Sequence, residues 1–118
     1  MSKKHANLYT RFLQIAEQVR ASGTFPKLDP IEERLLNQIA AAWFEGEKVP
    51  VLRAMELLPD ISGTTIHRRL KTLRAKRMLQ LKPDETDERI RYVVPTDLAN
   101  QYFEKLGRCL EQSARAME

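Results

Sequence analysis

Cysteine, histidine, glycine and aromatic residues are all scarce in this chain, and each shortage closes a route. Its 118 residues include one cysteine, Cys109, which excludes an internal disulfide framework. The two histidines, His5 and His67, are far apart in sequence and have no thiol or carboxylate cluster beside them, so no metal site is expected. Four glycines and 7% aromatic residues are low for a β-rich fold and leave helix to dominate. No apolar run approaches the roughly 18 residues of a membrane span. The opening MSKKHANLYTRF carries neither the apolar core nor the cleavage site of a secretory leader. These absences predict a cytoplasmic protein with no cofactor and no membrane partner. There is also no Gly-rich phosphate loop and no Ser, His and Asp grouping, so no enzymatic activity is expected.

The most informative absence is local. From Ser62 to Lys82, SGTTIHRRLKTLRAKRMLQLK, there is no Asp or Glu at all, yet seven side chains are Lys or Arg. Outside this stretch thirteen basic residues face sixteen acidic ones, so the formal +4 of the chain conceals a cationic segment on a net acidic body. Ordinary surface helices mix signs to gain pairs one turn apart. A segment this one-sided points to a polyanion partner, against the plainer alternative of a solvated helix that keeps the protein soluble. Its spacing is helical: Ile66, Leu70 and Leu73 form one apolar stripe, Ser62 is placed to cap, and Thr64, Arg68, Lys71 and Ala75 point the other way. His67 and Thr72 fall on the shoulders. His67 either donates to the partner when protonated or flanks the core.

The rest of the chain frames that helix. A first helix is predicted over 4–21, with Leu8, Phe12, Ile15, Ala16 and Val19 on one face and Tyr9 and Leu13 widening it beyond what one small domain covers. Asp29, Pro30 and Glu32 form a capping box that opens a second helix running to about Phe44, whose inner face includes Leu35, Leu36, Ile39 and Trp43. Val49 has the composition of a very short strand. A third helix of about two turns is expected from Pro50, with Val51, Leu52, Met55 and Leu58 inward, ended by Pro59 and Asp60. A three- or four-residue turn then leads to the basic helix in a helix-turn-helix arrangement. Met78–Lys82 and Arg89–Val94 read as an antiparallel hairpin over 78–94, with Ile90 and Tyr92 on an apolar face and Arg89 and Arg91 on a cationic one. Thr96 caps a last helix with Leu98, Tyr102, Phe103, Leu106, Cys109, Leu110 and Met117 spread over more than one face. Cys109 among these positions reads as a buried thiol.

This order of elements is similar to the multiple-antibiotic-resistance regulator (MarR) family of winged-helix transcription factors. The resemblance rests on Leu28, Asp29 and Pro30 at the second helix, Ser62 through Leu70 at the recognition helix, Lys82 through Arg89 with its Asp-x-Arg pattern at the wing, and Thr96 after it. It implies an α+β fold, mainly α with a small β-hairpin. A single domain over 1–118 would carry a DNA-binding winged helix at 29–94 flanked by dimerisation helices at 4–21 and 96–117. It further implies a homodimer on double-stranded DNA at a pseudo-palindromic operator, acting as a transcriptional regulator, in the first instance a repressor. Carried over by position, Thr64 and Arg68 face base edges and Ser62, Thr65 and Lys71 face phosphates, with His67 beside them. Arg89 becomes the wing arginine, oriented by Asp87, and Lys82 and Arg91 complete the cationic set. The acids Asp84, Glu85, Asp87 and Glu88 at the wing tip would repel phosphates unless Asp87 is paired and the others turn outward. The family binds small phenolic or lipophilic effectors between its dimer bundle and DNA-binding lobe. Tyr9, Phe12, Trp43 and Tyr102 are candidates to line such a cleft, with plain core packing as the alternative. A winged-helix module that binds another protein instead of DNA is the competing reading of the whole chain.

Overall fold

The start of the second helix is fixed by its own sequence. Asp29 accepts from the Glu32 N–H at 2.7 Å, Glu32 accepts in return from the Asp29 N–H at 2.8 Å, and Pro30 occupies the first turn, where its missing donor costs nothing. A computed structural model of the chain describes residues 2–116. Its elements are α1 (Lys4–Ala21), α2 (Pro30–Phe44), α3 (Val51–Ala54), α4 (Gly63–Ala75), β1 (Leu79–Pro83), β2 (Arg91–Pro95) and α5 (Asp97–Ala116). Mainly helical with one antiparallel hairpin, this is the predicted class. By internal contacts the chain forms two units, one of residues 28–99 and one of the two terminal segments, up to residue 27 and from residue 100. No helix among the described residues is long and apolar enough to cross a membrane.

In the 28–99 unit, Leu35, Leu36 and Ile39 of α2 are fully buried, as are Ile66 and Leu73 of α4, with Leu70 close behind. Burying six side chains of this size removes enough apolar surface to contribute on the order of 10 kcal/mol before entropy is counted. Helix α4 begins where Ser62 accepts from the Thr65 N–H, and it ends in a left-handed residue. Arg77 has φ 64°, with its N–H donating to Arg74 O and the Met78 N–H donating to Leu73 O, the paired closure that satisfies the last carbonyls of a helix. Glycine usually fills that position, since a side chain there is strained by about 1 kcal/mol.

Several expectations need correction here. The third helix is a single α turn, Val51–Ala54, not two. Its continuation tightens into i→i−3 bonds, Glu56 N–H to Arg53 O and Leu57 N–H to Ala54 O, so that the connection to α4 occupies residues 55–62 and not three or four. Leu52, expected inward, is 81% exposed and Ala54 is buried in its stead, while Leu58 is buried as expected. The short helix turns Ala54 to the core, and two residues earlier points the opposite way. The strands are displaced by one or two residues. Leu79 pairs with Pro95 and Pro83 with Arg91, so Pro95 closes the ladder from within. Arg89 and Ile90 lie in the turn, and Ile90 is exposed because no strand alternation reaches it. Val49 does act as a strand fragment: its carbonyl accepts from the Val93 N–H at 2.8 Å, and Pro50 bridges Tyr92.

In the terminal unit, Tyr102 of α5 is buried, meets Phe25 edge-on at 5.3 Å between ring centroids, and accepts from Arg20 Nε at 3.0 Å. Cys109 is buried and free, and its carbonyl accepts the Ser113 hydroxyl. Of the broad apolar faces read from the sequence, Tyr9, Leu13 and Leu110 remain 61%, 40% and 55% exposed. Met117 lies outside the described residues.

Candidate nucleic-acid interface

Helix α4 is amphipathic in the direction its sequence dictates. With Ile66, Leu70 and Leu73 turned to the core, Thr64, His67, Arg68, Lys71, Arg74 and Ala75 are all exposed. His67 is therefore a surface side chain and not a core flank. Ser62 is exposed at the helix start but already occupied in capping: its hydroxyl donates to Thr65 Oγ1 at 3.0 Å while accepting from the Thr65 N–H. Thr65 is half-buried beside it. Arg68, Lys71, Arg74, Arg77 and Lys82 form no ion pair among the described residues. Five exposed cations that form no ion pair leave an attractive field for a polyanion.

The other two cations of the basic stretch serve the fold. Arg69 Nε sits 2.7 Å from Asp29 Oδ2, a close charge contact whose N–H is not aligned as a hydrogen bond. Lys76 Nζ donates to Glu32 Oε1 at 2.7 Å, and the Thr72 hydroxyl donates to Glu32 Oε2 at 2.6 Å. Glu32 is 1% exposed. Burial alone would raise its pKa, but the bonds from Lys76, Thr72 and the Asp29 N–H outweigh it and hold the carboxyl below its ordinary range. Residues 69, 72 and 76 share one edge of the α4 segment, so the cap of α2 grips the second half of α4. The sequence reading saw Glu32 only as a capping residue. Its second role joins residues 40 and 44 positions apart, and the one available signal was an acid facing an otherwise acid-free helix.

The wing tip is built from its acids. Asp84 Oδ2 accepts from the N–H groups of Thr86 and Asp87 and from the Thr86 hydroxyl, and Asp84 Oδ1 accepts from the Tyr92 hydroxyl at 2.7 Å. The Tyr92 bond and those N–H donors hold the Asp84 carboxyl far below the usual carboxylate range, and the same bond raises the Tyr92 hydroxyl. Asp87 accepts from Arg89 at Nε (3.1 Å), at the second guanidinium nitrogen (3.2 Å) and at its backbone N–H. That pairing lowers the Asp87 pKa and presents the Arg89 head, 91% exposed, at the tip. Glu85 and Glu88 face solvent, as do Lys82 and Arg91.

The aromatic candidates are dispersed. Trp43 lines a cavity of about 400 Å³ with Lys48, Lys82, Asp84, Tyr92 and Val94, inside the 28–99 unit. Tyr102 is packed on Phe25, Phe12 is half-buried and Tyr9 is largely in water, all three in the terminal unit. Among the described residues no group of three or more His, Cys, Asp or Glu side chains is placed to hold a metal ion.

A short helix, a capped basic helix and a hairpin wing braced by a third strand fragment, flanked in sequence by two long helices, make the winged helix-turn-helix fold of MarR-type transcriptional regulators. Solved structures bear this out. Transcriptional regulator Tm0710 from Thermotoga maritima superposes with a TM-score of 0.65 at 19% identity, over 92% of this chain and 70% of that one. The heme sensor PefR from Streptococcus agalactiae, solved with heme, gives 0.59 at 19% identity over 97% and 76%. BpsR from Bordetella bronchiseptica, whose DNA binding is regulated by 6-hydroxynicotinic acid, gives 0.54 at 20% over 93% and 77%. At such identities the likeness is one of fold. No protein-family model and no curated protein matches the sequence.

Proposed function

We propose that the chain is a sequence-specific, double-stranded DNA-binding transcriptional regulator that acts in the cytoplasm as a homodimer, in the first instance as a repressor. The observation that carries this reading is the outer face of α4: Arg68, Lys71 and Arg74 exposed without ion-pair partners, on the helix that the fold reserves for the major groove. Displacing condensed counterions from the duplex supplies the salt-dependent share of affinity. In this reading Arg68 pairs with a guanine edge and Thr64 touches a thymine methyl. Ser62, Thr65, His67, Lys71 and Lys82 serve backbone contacts, while Arg89, aimed by Asp87, and Arg91 follow the minor groove.

One recognition helix binds weakly, so two must be held about 34 Å apart, one turn of DNA. The exposed Tyr9, Leu13 and Leu110 supply apolar surface for that pairing. Small-molecule control of the kind known for BpsR and PefR extends the proposal to an effector. Selection of bound sequences from a random duplex pool is the test. A two-fold symmetric consensus with half-sites one turn apart is expected, and failure to retain any duplex on a filter at low salt removes the reading.

One observation favours the rival protein-binding module. Leu52 and Ile90 stay exposed in a groove of about 620 Å³ that also contains Val51, Arg53 and Arg91, and apolar surface with arginines is the composition of protein interfaces. Duplex retention with a salt-dependent affinity decides against it.

A further inference from the structure

An exposed arginine paired with an exposed carboxylate is ordinarily held loosely, because the pair gains little over water and must order two side chains. Arg89 and Asp87 are such a pair, 91% and 34% exposed. What distinguishes them is the turn behind Asp87. Asp84 Oδ2 gathers the Thr86 N–H at 3.1 Å, the Thr86 hydroxyl at 3.0 Å and the Asp87 N–H at 3.0 Å, so that one carboxylate oxygen shapes residues 84–87. The other oxygen accepts the Tyr92 hydroxyl at 2.7 Å.

Tyr92 is the member of this chain of contacts that belongs to regular structure. It pairs with Lys82 across the ladder, bridges Pro50 on the other side, and precedes the fully buried Val93. Its ring carries Lys48 Nζ at 5.3 Å from the centroid. A continuous run of bonds therefore leads from the sheet through Tyr92, Asp84 and Asp87 to the wing cation.

We infer that the Tyr92 hydroxyl is the positioning group for Arg89: it fixes the rotamer of Asp84, which sets the 84–87 turn, which aims Asp87 and, through it, the guanidinium. Only the functional consequence rests on the DNA-binding reading. Without the hydroxyl, Asp84 keeps its bonds within the turn but loses its tie to the sheet, the turn loosens, and the cost of ordering the tip falls on the binding step.

Tyr92→Phe keeps the ring, its packing and the strand pairing, and so removes the bond alone. In the nitrogen-15 spectrum of the free protein, the Thr86 and Asp87 amides and the Arg89 Nε–H are expected to be rigid in the wild type and mobile in the variant. Equal rigidity in both overturns the inference. Binding to a fluorescein-labelled A·T-rich duplex at low salt should weaken about three- to tenfold, the range of one hydrogen bond. In an Arg89→Ala background the same substitution should change nothing, whereas an additive loss would show that Tyr92 acts elsewhere and sinks the proposal. Asp84→Asn, which disturbs the hub from its other end, should mobilise the same amides, and provides the readout if Tyr92→Phe fails to fold. A wild-type protein that ignores the duplex while the variant still loosens the tip would refute DNA binding and uphold the positioning role.

Discussion

Helix α2 buries Leu35, Leu36 and Ile39 completely, whereas the longer α1 buries only Ala16 and leaves Tyr9 largely, and Leu13 partly, in water. The same contrast runs through the partners of each helix. In the 28–99 unit the apolar stripe of α4 is fully used, and even a carboxylate and an ammonium are drawn in to lock it. In the terminal unit, Tyr102 and Cys109 are buried on α5 while Leu110 stays exposed beside them. The core of the unit with the cationic helix is finished by its own chain, although Phe44, Leu52 and Ile90 stay exposed on its surface. The terminal helices bury fewer large apolar side chains and leave Tyr9, Leu13 and Leu110 exposed.

The sharpest test of that contrast is Leu13→Asp combined with Leu110→Arg. If those faces pair two copies, the variant should sediment as a monomer with its urea-denaturation behaviour little changed. Its DNA affinity should fall by about a hundredfold or more through loss of the linked second site. A variant that stays dimeric would place the pairing surface elsewhere. The complementary cut, inside the finished unit, is Glu32→Ala. Stranding Lys76 and Thr72 should cost about 3 kcal/mol of unfolding free energy, and a loss below about 1 kcal/mol would mean the grip on α4 is ornamental.

The same group gives the pH dependence a sign. Its folded pKa lies below the ordinary value of 4.5, so its contribution is fully present above that pH and drains away as the pH falls toward the lowered folded value. Glu32→Gln should flatten the stability profile over that acidic window, as followed by urea titration at stepped pH. Smaller again is Arg68→Ala, expected to cost about 1–3 kcal/mol of discrimination at one base pair per half-site. Lys71→Ala should weaken all duplexes alike and reduce the salt slope by about 1. The smallest effect is expected of Arg77→Gly. Relief of the left-handed backbone should raise stability by up to about 1 kcal/mol, while the lost cation lowers duplex affinity, so a thermal melt and an anisotropy titration should move in opposite directions.

What the sequence disclosed and what it hid follow from the range of the forces involved. The caps at Asp29, Ser62 and Thr96 depend on donors within three residues, and each forms as expected. The stripe Ile66, Leu70, Leu73 is a matter of periodicity, and it is buried. The length of α3 depended on whether a second turn could stay α-helical, a balance no single residue declares. Strand register was missed by a residue or two because Pro95 can end a ladder while still pairing in it. The cationic face was legible as a stretch but not residue by residue. Which of its seven cations are turned inward was decided by acids far away in sequence, at Asp29 and Glu32.

The bond from Val93 N–H to Val49 O carries a mechanical consequence. It stitches the segment that opens α3 onto the returning strand of the hairpin, next to the Pro50 and Tyr92 bridge. The base of the wing is thereby moored to the segment that opens the short helix. Parting the returning strand from that segment costs this hydrogen bond and leaves a buried donor unpaired.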